Sequence, residues 1–239
     1  GAWVIFGGPP RSGRLFARLN GAHQIIEWNK SLPNYDCYVY LLSLPRLFKT
    51  ELHSIPASIP YLKADPRRSK FWRKKLGEKG GLKIGISWRD DAGRDPESDF
   101  RNITYLEFSK IPPIAGIRFI ALPLSRPAHE IGDQVSGCYF EWLDEPRDKD
   151  GVFVDTMAII DNLDLVIAPD SVYVHLAAAM GKTTWTLINR VADWRWLLDR
   201  DDNPWYPNMK LFRQSKLGNW DDVMDRVTKE LQCLPKNST

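Results

Sequence analysis

The amino-acid sequence predicts an α/β fold with a doubly wound parallel sheet. Apolar runs of strand length alternate with helical patterns along almost the whole chain. The runs at residues 117–121 and 165–168 are apolar on both faces, as a sheet covered by helices on each side requires. The chain has 239 residues, of which 43% are hydrophobic, so it can bury a core in one large domain or two small ones.

The N-terminal part reads as a series of short β and α elements. Apolar runs predict strands at residues 3–6, 23–26 and 37–42, and a helical pattern predicts a helix at residues 11–19. A second helix is expected at residues 66–76, because Asp65 is a good N-cap residue and Pro66 suits the first helical position.

A glycine-rich stretch separates this part from the rest. Residues 77–81, with the sequence Gly-Glu-Lys-Gly-Gly, are the most linker-like segment of the chain. We therefore predict two α/β units, residues 1–80, which include the basic helix, and residues 81–239.

The alternation of strands and helices starts again in the second unit and continues to its end. Strands are predicted at residues 83–87, 117–121, 165–168 and 183–187, and helices at residues 104–109, 152–162, 171–180 and 220–231.

Positive charge is concentrated in one window. Between Lys63 and Arg89 there are ten basic and two acidic residues, although the net charge of the whole chain is only +3. Such a cluster can bind nucleic acid. We favour a solvated linker helix, because Phe71, Trp72 and Leu76 form an apolar stripe along it. No nucleic-acid partner is therefore expected.

Several other classes of protein are disfavoured. Cys37, Cys138 and Cys233 are widely spaced and form no CxxC motif, so neither a disulfide framework nor a zinc site is expected. No run approaches 18 apolar residues, and the first residues lack a charged signal-peptide region. We expect a soluble, cytoplasmic protein without a transmembrane segment.

The turn after the apolar run at 165–168 is the best candidate site. Asp170 and Ser171 are good cap residues at the start of an alanine-rich helix, and His175 follows Ser171 by four residues, on the same helix face. Helix N-termini at the carboxyl ends of parallel strands bind phosphate groups. A bound diphosphate is one interpretation; the other is that Asp170 and Ser171 only cap the helix and His175 packs beneath it.

A second candidate follows the strand at 83–87. Trp88 and Arg89 begin a long polar loop that reaches Arg101, from which cationic groups could contact a bound phosphate. A plain surface loop is the alternative.

Sites of other kinds find little support. A Walker loop and a GxGxxG fingerprint are both missing from the sequence. The Asp-x-Asp segments at 148–150 and 199–201 are better explained as solvated turns, and His23, His53 and His129 lack partners at metal-ligand spacing. No metal site is expected.

Tryptophan is concentrated near the end of the second unit. Five of the ten tryptophans lie within residues 185–220. Either they fill a core or their aromatic packing holds the late loops of the domain in place.

Four blocks of sequence resemble the glycosyltransferase domain of bacterial tetratricopeptide-repeat proteins. That domain is related to the lipopolysaccharide heptosyltransferases and, more distantly, to O-GlcNAc transferase. The blocks are Lys-Ile-Gly-Ile-Ser-Trp at 83–88, the segment 162–175 around Pro-Asp-Ser-Val-Tyr-Val-His, Asp-Trp-Arg-Trp-Leu-Leu-Asp-Arg at 193–200, and Pro-Trp-Tyr-Pro at 204–207 with Leu-Phe-Arg-Gln at 211–214.

The resemblance implies a GT-B architecture, in which two Rossmann-like domains face each other across a cleft and the second holds a nucleotide-sugar donor. It implies a metal-independent glycosyltransferase in which a helix N-terminus, a histidine and a loop arginine stabilise the departing nucleoside diphosphate. The residues that match the family's donor-diphosphate motif are Asp170, Ser171, Val172 and His175, and those that match its donor cleft are Trp88, Arg89 and Arg101.

The chain departs from the family in two places. The family begins with a strand and a glycine-rich loop that carries an aspartate, the acceptor-side base, and tetratricopeptide repeats often precede it. That unit is not found here, so the base is expected upstream of residue 1. After Trp88 the family has a small residue, Gly and Asn, where this chain has Arg89, Asp90 and Asp91. The resemblance implies that residues 1–80 are a partial, acceptor-side Rossmann-like domain and that residues 81–239 are the Rossmann-like donor domain. It leaves the acceptor open among a glycan, a lipid-linked sugar and a protein, and a noncatalytic nucleotide-binding or scaffold domain is the alternative function.

Overall fold

The computed structural model describes residues 1–77, 80–88, 103–122, 140–143 and 148–234. In the N-terminal part, strand β1 (Ile5–Gly8) pairs in parallel with β2 (Gln24–Glu27), and the short helix α1 (Gly13–Phe16) connects them. Helix α1 is shorter than the predicted helix at 11–19. The helix cannot begin at residue 11, because Arg11 has a positive φ of 66°, a left-handed conformation that a right-handed helix does not include.

The predicted strand at 37–42 is wrong. Residues 37–40 belong to no strand, residues Leu41–Ser43 form a 3-10 helix, and α2 (Leu44–Leu47) follows directly. The apolar side chains of this segment are largely exposed, Leu42 to 85%. An apolar run becomes a strand only where a neighbouring strand can pair with it, and none does so here among the described residues.

Six parallel strands form the sheet of the second unit. Their order in space is β5-β4-β3-β6-β7-β8, and every neighbouring pair is parallel. All five residues of β6 are buried, as expected for a strand covered on both faces. The predicted doubly wound α/β class is confirmed. The strands are β3 (Leu82–Ile86), β4 (Ile117–Ala121), β5 (Phe140–Glu141), β6 (Leu165–Pro169), β7 (Thr183–Ile188) and β8 (Met209–Arg213).

Helices cover the two faces of this sheet and divide the core into two layers. One layer contains side chains from α3, α5 and α6, and the other contains side chains from α4 and the C-terminal α7. Successive residues of each strand point alternately into the two layers. The helices are α3 (Pro66–Leu76), α4 (Tyr105–Phe108), α5 (Val154–Ile160), α6 (Val172–Ala179) and α7 (Asp221–Cys233).

Two strands were not predicted. β5 has only two residues, which is too short for a periodic signal. β8 does carry a signal, because buried Met209, Leu211 and Phe212 are mixed with half-buried Lys210 and Arg213 in the pattern of an edge strand.

Helix α3 has the predicted bounds for the predicted reason. The Asp65 carboxylate accepts hydrogen bonds from the backbone N–H groups of Arg67 at 2.9 Å and Arg68 at 3.2 Å, and Pro66 occupies the first turn. The helix ends at Gly77, whose φ of 68° no longer fits a right-handed helix.

One face of α3 is docked on α5, which was not predicted. The Arg68 guanidinium pairs with the Asp155 carboxylate, which is 3% exposed and also accepts a 2.8 Å hydrogen bond from Trp72 Nε1. Ser69 donates to Asp161 close by. The opposite face is exposed and carries most of the basic side chains, in agreement with a solvated face. Helix α3 therefore packs against the second unit through α5, and it also connects the N-terminal part of the chain to that unit.

Three findings concern the classes of protein considered above. Cys37 and Cys233 are free and exposed, and Cys138 lies outside the described residues. None of the described helices has the length and apolarity needed to cross a membrane. Within the same residues, no three His, Cys, Asp or Glu side chains come together as potential metal ligands.

Replacing Asp65 with alanine should lower the free energy of unfolding by about 1 kcal/mol near neutral pH, since an N-cap is lost. Burial raises the pKa of Asp65, but hydrogen bonds from the backbone of Arg68 and Arg67 and from Arg14 outweigh burial and hold the pKa below its ordinary 3.8. The stability that the carboxylate contributes is present above pH 3.8 and lost as the pH falls through the lower pKa of the folded state. Urea unfolding of both proteins over an acidic pH series measures the difference.

The matched control is Asp65→Asn, which keeps the capping oxygen without the charge and should show little change with pH. A difference between the wild type and Asp65→Ala that grows on acidification would contradict this account of the cap.

Removing the Asp155 carboxylate should destabilise the protein far more. Asp155→Ala leaves the partly buried Arg68 charge and the Trp72 N–H without their partner, which typically costs about 3–5 kcal/mol. Asp150→Ala is the control, because Asp150 is 60% exposed and its ion pair with Arg14 should contribute less than about 1 kcal/mol. Similar urea midpoints for the two variants would show that the packing of α3 does not depend on Asp155. If the alanine variant does not fold, Asp155→Asn is measured in its place.

Candidate functional site

The candidate site lies where the order of the strands in the sheet reverses. β3 and β6 are parallel neighbours, with Ile86 opposite Ile167, yet β4 lies on one side of them and β7 on the other. Open α/β sheets bind ligands at the carboxyl ends of the two strands at such a point. Trp88, which follows β3, and the turn after β6 both lie at this edge of the sheet.

The β6–α6 turn presents a buried hydroxyl group without a partner. Ser171 occupies the N-cap position of α6, but its side chain makes no capping hydrogen bond. Its Oγ is buried and has no hydrogen-bond partner in the part of the chain that the structure describes. Leaving such a group unpaired is costly, and native proteins seldom do so without a reason. The interpretation of Ser171 as a side-chain cap is therefore wrong.

The start of α6 supplies donors beside this hydroxyl. Val172 is the first residue of the helix, and the N–H groups of a first helical turn have no partner within the helix. Together with the helix dipole they attract an anion. Asp170, whose side chain is 10% exposed, directly precedes Ser171 in the turn.

His175 lies near the beginning of the same helix and is held from three sides. Its Nε2 is 3.7 Å from Asp170 Oδ1, and its Nδ1 is 3.3 Å from Tyr206 Oη. Its ring stacks on that of Trp196, with centroids 5.3 Å apart and planes at 23°. The side chain is 33% exposed, so it is not packed wholly beneath the helix. The predicted grouping of Asp170, Ser171 and His175 at one helix end is what the fold produces.

Tyr206 links His175 to the N-terminal part of the chain. Its Oη is 3.3 Å from Tyr61 Oη, and Tyr61 is fixed by its backbone N–H, which donates to Ala179 O at 3.0 Å. Burial, together with the neighbouring Tyr61, raises the pKa of Tyr206 well above its ordinary value. The phenol therefore stays protonated at any ordinary pH and keeps one proton to donate.

Sequence reasoning missed Tyr206 and Tyr61 as neighbours of this site. Tyr206 lies in the Pro-Trp-Tyr-Pro block that was singled out, but nothing in the spacing links it to a histidine 31 residues away. Nothing in the sequence around Tyr61 indicates that it lies near this site.

The expected aromatic packing of the late loops is confirmed. Trp194 and Trp205 meet edge to face, with ring centroids 5.8 Å apart. Trp196 is only 1% exposed and forms the platform beneath His175. The tryptophan-rich segment thus serves to hold the imidazole as well as to fill space.

Trp88 has a packing role in this structure. It is fully buried among aromatic side chains, with Tyr105 edge to face at 5.3 Å and Phe140 stacked at 6.2 Å between centroids. Contact between its ring and a donor stays a prediction. Arg89 and Arg101 lie outside the described residues.

The Asp-x-Asp segments behave as turns. Asp148 accepts hydrogen bonds from the backbone N–H groups of Asp155 at 2.7 Å and Thr156 at 3.2 Å, so it holds the start of α5. In the other segment, Arg200 pairs with Asp202 on the surface.

Cavities of about 930 and 500 Å³ lie along α3, and neither is lined by the β6–α6 turn.

Comparison with known proteins found likeness only among solved structures. No family model and no curated protein matches the chain. The E. coli heptosyltransferase WaaC with ADP-2-deoxy-2-fluoro heptose is similar at 17% identity, over 74% of this chain and 52% of that one, with a TM-score of 0.41. The same enzyme with ADP is similar at 14% identity, over 88% and 66% of the two chains, with a TM-score of 0.46.

A third solved structure is the E. coli ADP-heptose lipopolysaccharide heptosyltransferase II, at 14% identity over 75% of this chain and 54% of that one, with a TM-score of 0.47. The chain thus spans between 52% and 66% of the length of these enzymes. Likeness at this level concerns the path of the backbone, and the function proposed below is argued from the site.

Replacing Ser171 with alanine distinguishes a capping serine from a ligand-binding one. Because the hydroxyl has no partner, Ser171→Ala should leave the free energy of unfolding unchanged or raise it by up to about 1 kcal/mol in the absence of nucleotide. Thr104→Ala is the control, since Thr104 Oγ1 does cap α4 by accepting from Glu107 N at 3.2 Å, and its loss should cost about 1 kcal/mol. Equal losses in urea unfolding would show that Ser171 caps its helix after all.

Proposed function

We propose that this chain is a glycosyltransferase that uses a nucleotide-sugar, and that the donor diphosphate binds at the β6–α6 turn. The observation that carries the proposal is the Ser171 hydroxyl, which is buried and has no partner among the described residues, at the N-terminus of an eight-residue helix where the order of the strands reverses. A diphosphate oxygen would supply the missing partner.

Each group at the turn has a role in this proposal. The first N–H groups of α6 and the Ser171 hydroxyl donate to the diphosphate, and His175, whose side chain is one-third exposed, donates from Nε2. These donors are fixed before the reaction, so they stabilise the negative charge that grows on the diphosphate as the bond to the sugar breaks. The proposed reaction proceeds without a bound metal, with the helix dipole and His175 in place of a cation.

The resemblance to the tetratricopeptide-associated domain supports finer proposals. We place the protein in the cytoplasm, where nucleotide-sugars are made. A relationship with heptosyltransferases would favour an ADP-linked sugar, with the acceptor held by the N-terminal side. Tetratricopeptide repeats in the parent protein would serve to present that acceptor.

Donor binding can be measured by thermal unfolding. An ADP-, GDP- or UDP-linked sugar that binds the native state at 100 times its Kd should add about 2.7 kcal/mol to the free energy of unfolding. Ser171→Ala and His175→Ala should each weaken binding by roughly tenfold to a hundredfold, since a hydrogen bond to a charged group is lost. His53→Ala is the control, because its 81% exposed side chain lies in the N-terminal part.

Failure of every donor to stabilise the wild-type protein would refute the proposal. Binding without transfer to any glycan, lipid-linked sugar or protein acceptor, in the full natural chain, would instead indicate a noncatalytic nucleotide-binding domain. Transfer that is lost on addition of EDTA and restored by magnesium would contradict metal independence.

A further inference from the structure

A chain of hydrogen bonds ends on the imidazole of His175. Tyr61 Oη lies 3.3 Å from Tyr206 Oη, and Tyr206 Oη lies 3.3 Å from His175 Nδ1. The other ring nitrogen, Nε2, faces the β6–α6 turn, 3.7 Å from Asp170 Oδ1. Which nitrogen of a neutral imidazole carries the proton is set by the hydrogen bond that the other one makes.

Two directions of donation are possible along this chain. In one, Tyr61 donates to Tyr206, Tyr206 donates to Nδ1, and the ring proton is on Nε2. In the other, Nδ1 donates to Tyr206 and Tyr206 donates to Tyr61, which leaves a lone pair on Nε2. Each hydroxyl has a single proton, so the two directions exclude each other.

Asp170 decides between the two directions. In the second direction the Nε2 lone pair would face the Asp170 carboxylate across 3.7 Å, and the two negative regions repel. In the first direction an N–H group faces that carboxylate, which is favourable. Tyr61 can start the chain because it is 38% exposed, so its oxygen can accept from water while its proton points inward.

Trp196 restrains the plane of the imidazole. Its ring stacks on that of His175 at 23°, and within this plane Nδ1 lies near Tyr206 and Nε2 near Asp170. Trp196 itself is held by burial and by Arg213, whose guanidinium donates to its carbonyl.

We propose that Tyr206 is a positioning residue that holds His175 as the Nε2–H tautomer, so that a neutral imidazole presents an N–H to the β6–α6 turn. That N–H is available to a diphosphate oxygen whether or not the ring is doubly protonated. The identity of this acceptor rests on the proposed function, whereas the tautomer is a property of the unliganded protein.

The tautomer is measured directly by ¹⁵N NMR of protein labelled at histidine, at a pH where the imidazole is neutral, with His175→Gln to assign the signal. The wild type should show the Nε2–H pattern. Tyr206→Phe keeps the ring and removes the donor, so its spectrum should move toward a mixture of the two tautomers. Tyr61→Phe is the matched control and should keep the wild-type pattern, because Tyr206 still has its proton to donate.

An Nδ1–H pattern in the wild type, or an unchanged Nε2–H pattern in Tyr206→Phe, would overturn the inference. Thermal unfolding establishes that each variant is folded, and Tyr206→Met replaces Tyr206→Phe if the latter is not.

Binding of ADP provides a readout that a purely structural role would not move. In Tyr206→Phe the affinity for ADP should be roughly twofold to tenfold weaker than wild type, the worth of one hydrogen bond. Tyr61→Phe removes the other phenol of the same contact but leaves the Tyr206 proton, so it should keep the wild-type affinity.

An equal loss of ADP affinity in Tyr206→Phe and Tyr61→Phe would show that Tyr206 acts only by packing and would overturn the positioning role. Absence of ADP binding in the wild type would refute the proposed function alone, and the tautomer would still be decided by the ¹⁵N spectra.

Discussion

The parallel pairing of β3 with β6 is the contact on which the rest of the site depends. Ile84, Gly85 and Ile86 lie opposite Leu165, Val166 and Ile167, and this register brings the carboxyl ends of two strands that are far apart in sequence to one edge. The remaining strands add outward on either side, so the strand order reverses between these two ends. The start of α6 lies at this edge because only Asp170 and Ser171 separate the helix from β6.

Buried polar groups have two different roles in this fold. The carboxylate of Asp65 and that of Asp155 each accept several hydrogen bonds, and they hold α3 in place. The Ser171 hydroxyl is as buried as Asp155 and has no hydrogen-bond partner among the described residues. It stands at the N-terminus of α6, where the first N–H groups of the helix also lack partners within the helix, and this combination is the physical basis of the proposed donor site.

Three separate segments of the chain determine the surroundings of one imidazole. His175 is on α6, Trp196 and Tyr206 are in the loop between β7 and β8, and Tyr61, which contacts Tyr206, belongs to the N-terminal part. The backbone N–H of Tyr61 also donates to Ala179 O at the end of α6, so the N-terminal part is tied to this helix by a backbone hydrogen bond and, through Tyr206, by side chains. The orientation of His175 therefore depends on contacts from well beyond its own helix.

The sequence by itself determined the parallel α/β class, the bounds of α3 and the position of the turn at Asp170, since these depend on local periodicity and on cap residues next to the elements they cap. Tertiary structure decided what local pattern cannot contain. The run at 37–42 is not a strand because no described strand pairs with it, Trp88 packs in the core, and the partners of His175 come from distant segments. Whether Ser171 caps its helix or stands free was likewise open until the fold placed every neighbouring donor and acceptor, because a hydroxyl is paired or unpaired only with respect to groups in three dimensions.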